Sequence, residues 1–237
     1  MKKVFKNVLF ISVAASFLVS CGGSPKSDEA KTEEAKKVDS TKTQEGDALK
    51  ADVKNSEITW VGSKPTGKHN GTIAVKEGTL NVKENNVVGG KFVIDINTLT
   101  VLDLQDKDKN AKLSGHLRSA DFFDAEKYPT ATFEITEVTT FKAEEKKEEK
   151  KEEKDAAFSI ADPTHTVTGN FTLRGVTKSI SFPAKITVKE GNVEAVAKFN
   201  IDRTQWGLVY QAEGEKSIGD KFIYNTVNIG FKLVATK

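Results

Sequence analysis

The stretch Gly115-His116-Leu117-Arg118-Ser119-Ala120-Asp121-Phe122-Phe123-Asp124-Ala125-Glu126-Lys127-Tyr128-Pro129-Thr130-Ala131-Thr132-Phe133 decides the fold. It starts as a helix would. Leu113 and Leu117 fall four apart on one face, with Lys112, His116 and Arg118 beside them. Asp121-Phe122-Phe123-Asp124 then ends the helix with two adjacent bulky apolar side chains. Exposing both to water is costly, so at least one is expected to plug into a core. Tyr128-Pro129 breaks the pattern, because the residue before a proline is driven toward extended geometry. Ala131, Phe133 and Ile135 then alternate with Thr132, Glu134 and Thr136, the period of a half-buried strand. The stretch is therefore expected to be a short polar-faced helix, an aromatic clamp and a strand.

Working outward, the same alternation recurs over most of the chain. Leu49, Ala51 and Val53 alternate, then Ile58 and Trp60 after Asn55-Ser56. Residues 62–71 are rich in turn formers and carry Lys64, Lys68 and His69. Ile73 and Val75, then Leu80 and Val82, predict a hairpin turning at Glu77-Gly78, with a further turn at Asn85-Asn86. Phe92, Ile94 and Ile96 share a face, and charged residues 103–109 predict the exposed start of the helix. Downstream, apolar residues alternate over Val167–Leu173, Ile180–Val188, Val193–Ile201 and Val227–Leu233, with turns at Gly175 and Gly191 and a loop from Gln205 to Asp220. Pro183 inside a strand predicts an edge or a bulge. The segments add up to about eight or nine antiparallel strands, each with one apolar face, the number at which a closed barrel can enclose one small ligand. The expected class is all-β, a closed antiparallel barrel with a short helix inserted near residues 110–120.

Three motifs in this order resemble the YceI-like family. They are His116-Leu117-Arg118-Ser119 with Asp121-Phe122-Phe123-Asp124 and Lys127-Tyr128-Pro129-Thr130-Ala131-Thr132-Phe133, then Gly169-Asn170-Phe171-Thr172-Leu173-Arg174-Gly175-Val176-Thr177-Lys178, then Ile201-Asp202-Arg203-Thr204-Gln205-Trp206-Gly207. The resemblance implies a lipocalin-like barrel over residues 49–237 that holds a polyisoprenoid or another long-chain lipid in its lumen. Small inward residues (Ala131, Gly169, Ala184, Ala195 and Ala197) agree with a roomy interior, since empty space destabilises a core and favours an occupant. The residues alone also allow a tapering barrel filled by its own side chains, which would leave a membrane-tethered structural or interaction module. With a lumen, the expected chain contacts are Trp60, Phe92, Ile94, Phe122, Phe133, Phe171, Phe182, Phe199 and Phe231, each of which also reads as ordinary core packing. His116 and Arg118, on the helix at the expected mouth, would meet a polar or anionic head group. Arg203, on the inward parity two residues past Ile201, would do the same or form a salt bridge to Asp121 or Asp124, because a buried charge needs a partner.

Composition argues against other classes. The net charge of +2 comes from interleaved acids and bases and forms no basic stripe for nucleic acid. The single Cys excludes an intramolecular disulfide and a Cys-rich metal site. His69, His116 and His165 lack metal-ligand spacing, and there is no Gly-x-Ser-x-Gly elbow or phosphate-cradling glycine loop. No catalytic residue, metal or cofactor is expected.

The N-terminal end carries an address. Lys2, Lys3 and Lys6 precede an apolar run over Val8–Val19, the pattern of a signal peptide over residues 1–20 and too short to span a bilayer comfortably. Leu18-Val19-Ser20-Cys21 resembles a bacterial lipobox, which implies cleavage before Cys21 and fatty acylation there. Several acyl chains would anchor the protein stably. Gly22-Gly23 lacks the Asp associated with inner-membrane retention, so the outer membrane of a bacterial envelope is the expected address. Residues 21–48 hold almost no large apolar side chain and are expected to be a disordered tether. Within the insertion at residues 142–155, residues 144–154 repeat Glu-Glu-Lys-Lys with like charges at i and i+4, predicting a solvated frayed helix or disorder without a docking face.

Overall fold

The structure, a computed structural model, describes residues 23–143, 155–214 and 221–237. The signal-like segment, Cys21 and residues 144–154 of the Lys/Glu run lie outside the described residues. In chain order come β1 (Lys31–Glu34), α1 (Ser40–Thr43), β2 (Asp47–Ala51), β3 (Glu57–Lys64), β4 (Gly67–Lys83) and β5 (Asn86–Asp95). After them come α2 (Lys107–Arg118), β6 (Thr130–Thr140), β7 (His165–Leu173), β8 (Val176–Lys189), β9 (Asn192–Asp202) and β10 (Thr226–Thr236).

Strands β3 to β10 pair each with the next, all antiparallel, and β10 returns to β3, which closes an eight-stranded barrel. Short β2 prolongs the position of β3, pairing with both β4 and β10. Connections alternate between the two ends. One end, here called the mouth, carries the β3–β4 tip, the excursion through α2, the Arg174-Gly175 turn and the β9–β10 loop. The other end carries the Glu84-Asn85 turn, the insertion between β6 and β7 and the Glu190-Gly191 turn. Near that far end Leu49, Val193 and Ala235 are almost wholly buried.

Two expectations are corrected. Glu77-Gly78 is no turn: β4 runs through it as one strand of 17 residues, with a bulge between Val75 and Glu77. Gly78 is needed because it lies opposite Phe92, and a Cβ there would collide with the Phe92 ring. A bulge bends a long strand around a barrel without ending it.

The second correction concerns residues 23–48. They form an ordered belt paired to the barrel wall, in place of the disordered tether expected over residues 21–48. Asp28 and Ala30 bond the backbone of Asn200, β1 pairs with β8, and Lys36 exchanges hydrogen bonds with the Asn170 side chain. Asp39 caps α1, and the carbonyl of Thr43 accepts from Asn81. Composition predicted disorder because this segment buries little apolar surface. Backbone hydrogen bonds to an otherwise unpaired wall hold it instead.

Candidate functional site: the barrel lumen

The mouth is built by α2 and by the stretch that leads from Gly115 to Phe133. Asp106 caps α2 by accepting from the Asp108 and Lys109 N–H groups. Asn110 ties the helix to the preceding loop through the carbonyls of Val101 and Leu104. Leu113 and Leu117 then turn one face of α2 into the barrel. After the helix, Phe123 N–H returns to Leu117 O and Ala125 N–H to Arg118 O, and Asp124 adopts a positive φ of 49°. That tight return places Phe122 and Phe123 against the interior.

The other two motifs lock onto this one. Arg174 donates to Gly207 O at 2.9 Å and to Ala120 O at 3.2 Å, so one side chain joins all three motifs. Trp206, fully buried, donates through Nε1 to Phe171 O at 3.1 Å. Arg203 donates to the carbonyls of Tyr224, Leu208, Tyr210 and Ile223 and so fixes the loop that rims the mouth. Burial lowers its guanidinium from the usual range, and Asp202 opposes that shift.

Inside lies a cavity of about 570 Å³ that reaches solvent at the mouth beside the exposed Lys64 and Lys221. All nine side chains expected to contact a chain line it: Trp60, Phe92, Ile94, Phe122, Phe133, Phe171, Phe182, Phe199 and Phe231. Several rings pack on one another. Phe182 and Phe199 stack with centroids 4.1 Å apart, and Phe231 stands edge-on to both. Aliphatic groups that alternation marked only as core complete the wall, among them Ile73, Val75, Ile135, Val167 and Ile229.

The small inward residues divide. Ala131 and Ala195 line the cavity. Gly169 does not leave space, because the Phe133 ring covers it, as the Trp60 ring covers Gly71. Ala184 and Ala197 are buried but lie outside the cavity lining; Ala197 sits directly opposite Phe231 in the ladder.

Polar groups gather at the rim. His116 Nε2 lies 2.9 Å from Asp121 Oδ2, and its ring meets Phe122 and Tyr210 edge-on, with centroids 5.1 and 4.9 Å away. His69 Nδ1 lies 2.8 Å from Asp103 Oδ2. Burial tends to raise the Asp103 pKa, but the hydrogen bonds from Asn70 N–H and His69 outweigh it and the net shift is downward. Among the buried side-chain atoms, Trp60 Nε1 and Ser63 Oγ, both on β3, have no hydrogen-bond partner.

Two head-group expectations fail on geometry. Arg118 is outside the cavity lining and donates to Asn97 O at 3.3 Å. Arg203 borders the cavity, yet its donors are engaged by backbone carbonyls. Those carbonyls, and neither Asp121 nor Asp124, are the partners that its burial requires. Among the described residues, no cluster of three or more His, Cys, Asp or Glu could hold a metal ion.

A sequence profile of the YceI-like domain matches residues 49–235. The chain belongs to the YceI-like family. A UPF0312 protein of Pseudomonas aeruginosa is 36% identical over 110 residues, 46% of this chain and 44% of that protein. Protein YceI of Escherichia coli O157:H7 is 35% identical over 116 residues, 49% of this chain and 48% of that protein. The chain thus spans about half the length of the curated relatives it matches. Two solved structures share the YceI-like fold at low identity. BcnA of Burkholderia cenocepacia has a TM-score of 0.52 at 20% identity, over 78% of this chain and 99% of that one. A polyisoprenoid binding domain from Saccharophagus degradans, implicated in plant cell wall breakdown, has a TM-score of 0.54 at 16% identity, over 79% and 97%.

Proposed function

We propose that this YceI-like barrel binds one long-chain apolar lipid, polyisoprenoid or fatty-acid-like, in its lumen and performs no chemistry on it. The observation that carries the reading is the cavity of about 570 Å³, walled by aliphatic and aromatic side chains and polar only at its rim. That volume is within the range of sites that bury a small ligand almost completely. Each methylene moved from water into such a wall contributes about 0.8 kcal/mol, so about twelve of them supply roughly 10 kcal/mol before ordering costs. The rim suits a neutral or anionic oxygen-bearing head. His116, Lys64, Lys221, Gln211 and Ser63 border it, and the orphaned Ser63 hydroxyl would gain a partner. A relative of the same fold described as polyisoprenoid binding supports the ligand class.

The setting belongs to the same proposal. The lipobox-like Leu18-Val19-Ser20-Cys21 supports a lipid-anchored protein of the bacterial envelope, at the outer membrane, acting as a lipid carrier or store. The test is titration with a polarity-sensitive apolar dye, then displacement by long-chain lipid. One saturable site per barrel, emptied by lipid and not by short-chain alcohols, is expected. Failure of dye and lipid to compete would overturn the reading.

A further inference from the structure

The β8–β9 ladder runs only from Lys185 opposite Val196 to Lys189 opposite Asn192, although both strands continue well beyond it toward the mouth. Pro183 explains the break. Thr164 N–H donates to Ala184 O, so the even-numbered residues of β8 direct their backbone groups to β7 and the odd-numbered ones face β9. Continuing the register would set Pro183 against Lys198, and proline has no N–H to give. Above this point the wall has a seam.

The belt fills that seam. Lys31 and Glu33 lie opposite Ser181 and Ser179 of β8. On the other side Asn200 N–H donates to Asp28 O at 2.7 Å and Ala30 N–H to Asn200 O at 2.9 Å. The segment is thus a strand slotted between β8 and β9, antiparallel to one and parallel to the other. It belongs to this chain's own extension, since the family match begins at residue 49.

What holds the inserted strand is unlike what holds the rest of the wall. Lys31, Glu33 and Glu34 are exposed, and Ala30 is only partly buried against the core. Its attachments are mostly polar and include backbone hydrogen bonds, the Lys178–Glu34 ion pair at 2.6 Å, the Ser27 hydroxyl donating to Phe158 O at 2.6 Å, Asp155 N–H donating to Lys26 O at 3.0 Å, the Lys36–Asn170 exchange, and a clasp at Asn200, whose amide donates to Pro25 O and Glu29 Oε1 at 2.7 and 2.9 Å. Segments with few buried apolar contacts and solvent-facing backbone bonds open at the lowest free energy in a fold. Directly behind the seam, Ile180, Phe182, Phe199 and Ile201 all line the cavity. The mouth is roofed in part by Leu113 and Leu117 of α2 and by the packed rings of His116, Phe122 and Tyr210, which leave its opening on the side of Lys64 and Lys221.

We propose that residues 25–36 form a detachable strap closing a side door between β8 and β9, through which the ligand chain passes into and out of the lumen. The proposal rests on the lumen reading above. The strap leaves, Phe182 and Phe199 part, and an elongated chain slides in sideways without threading past α2. A strap that re-forms behind the chain restores the wall.

The test is a reversible lock. Glu34 and Lys178 lie directly opposite each other in a non-hydrogen-bonded antiparallel pair, the arrangement that brings Cβ atoms close enough for a disulfide. Glu34→Cys with Lys178→Cys, in a Cys21→Ser background, is loaded with dansyl-labelled undecanoic acid before and after thiol reduction. The oxidised form is expected to load about tenfold more slowly or worse, and the reduced form to match the parent. Equal rates in both forms would assign the route to the mouth and overturn the strap. Failure of the probe to bind even the parent would instead remove the lumen reading. A ligand-free arm compares neighbouring amides of β9 by hydrogen exchange. Asn200, bonded to the strap, should exchange roughly 100-fold faster than Phe199, bonded to β10. Equal protection would show that the strap does not detach.

Discussion

Replacing Ala195 by Phe separates a roomy lumen from a filled core. Ala195 lines the cavity, and its methyl group is the only side-chain atom to be replaced. In a cavity the new ring occupies empty space and removes room from the ligand. If it displaces about four methylenes, the loss is roughly 3 kcal/mol of binding, or a little over 100-fold in Kd. Folding stability should then hold to within about 1 kcal/mol, because the added ring meets apolar walls without forcing them apart. In a filled barrel the same substitution would be overpacking, with about 1–3 kcal/mol or more lost from stability. Ala197→Phe supplies the contrast. Ala197 is buried opposite Phe231 and outside the cavity lining, so a ring there must push against packed neighbours. It should lose about 2–3 kcal/mol of stability. Urea unfolding and titration with a fluorescent fatty acid read both quantities. An Ala195→Phe protein that binds at full strength, or that is destabilised as much as Ala197→Phe, would refute the reasoning.

Arg203→Lys should lower stability by about 3 kcal/mol in urea unfolding, because one ammonium cannot serve four carbonyls and a buried polar group left unpaired costs about 1–3 kcal/mol; stability equal to the parent would show that the loop does not depend on it. The depressed pKa of Asp103 means that its contribution is complete above the ordinary carboxylate pKa of 3.8 and is lost as pH falls through its own lower value. Asp103→Asn should therefore flatten the acid limb of a stability-against-pH curve below pH about 4, and an unchanged limb would place that loss elsewhere. Cys21→Ala should abolish incorporation of labelled fatty acid into the protein, since Cys21 supplies the only thiol of the sequence; undiminished labelling would argue against lipidation at this position.

The barrel was legible because alternation is a local property. Each of Phe92/Ile94, Phe133/Ile135, Phe171/Leu173 and Phe199/Ile201 announces its inward face without reference to any other strand. The helix was equally plain in Leu113 and Leu117. What failed depended on partners distant in the chain. Gly78 looks like a turn residue, and only the ring of Phe92 across the ladder shows that it is a strand position. Residues 23–48 look too polar to order. Residues 28–34 find their partner in a seam created by Pro183, some 150 residues away, and Lys36 and Thr43 find theirs in the side chains of Asn170 and Asn81; of these only Pro183 is readable in advance, as an edge or bulge. Arg203 was placed on the inward face by parity, but the four carbonyls it serves belong to a loop conformation that no residue pattern encodes. The three motifs proved to be neighbours joined by Arg174, so their chemistry is mainly that of holding the mouth together.

The measurement that bears most directly on the lumen is the composition of the native protein after gentle extraction from its own membrane. Native mass spectrometry, followed by organic extraction of the same sample, should return close to one long-chain lipid per barrel beyond any chains attached at Cys21, and Ala195→Phe should lose it. A barrel that carries no such molecule, and takes none up when offered polyisoprenoid or long-chain fatty acid, would contradict the account.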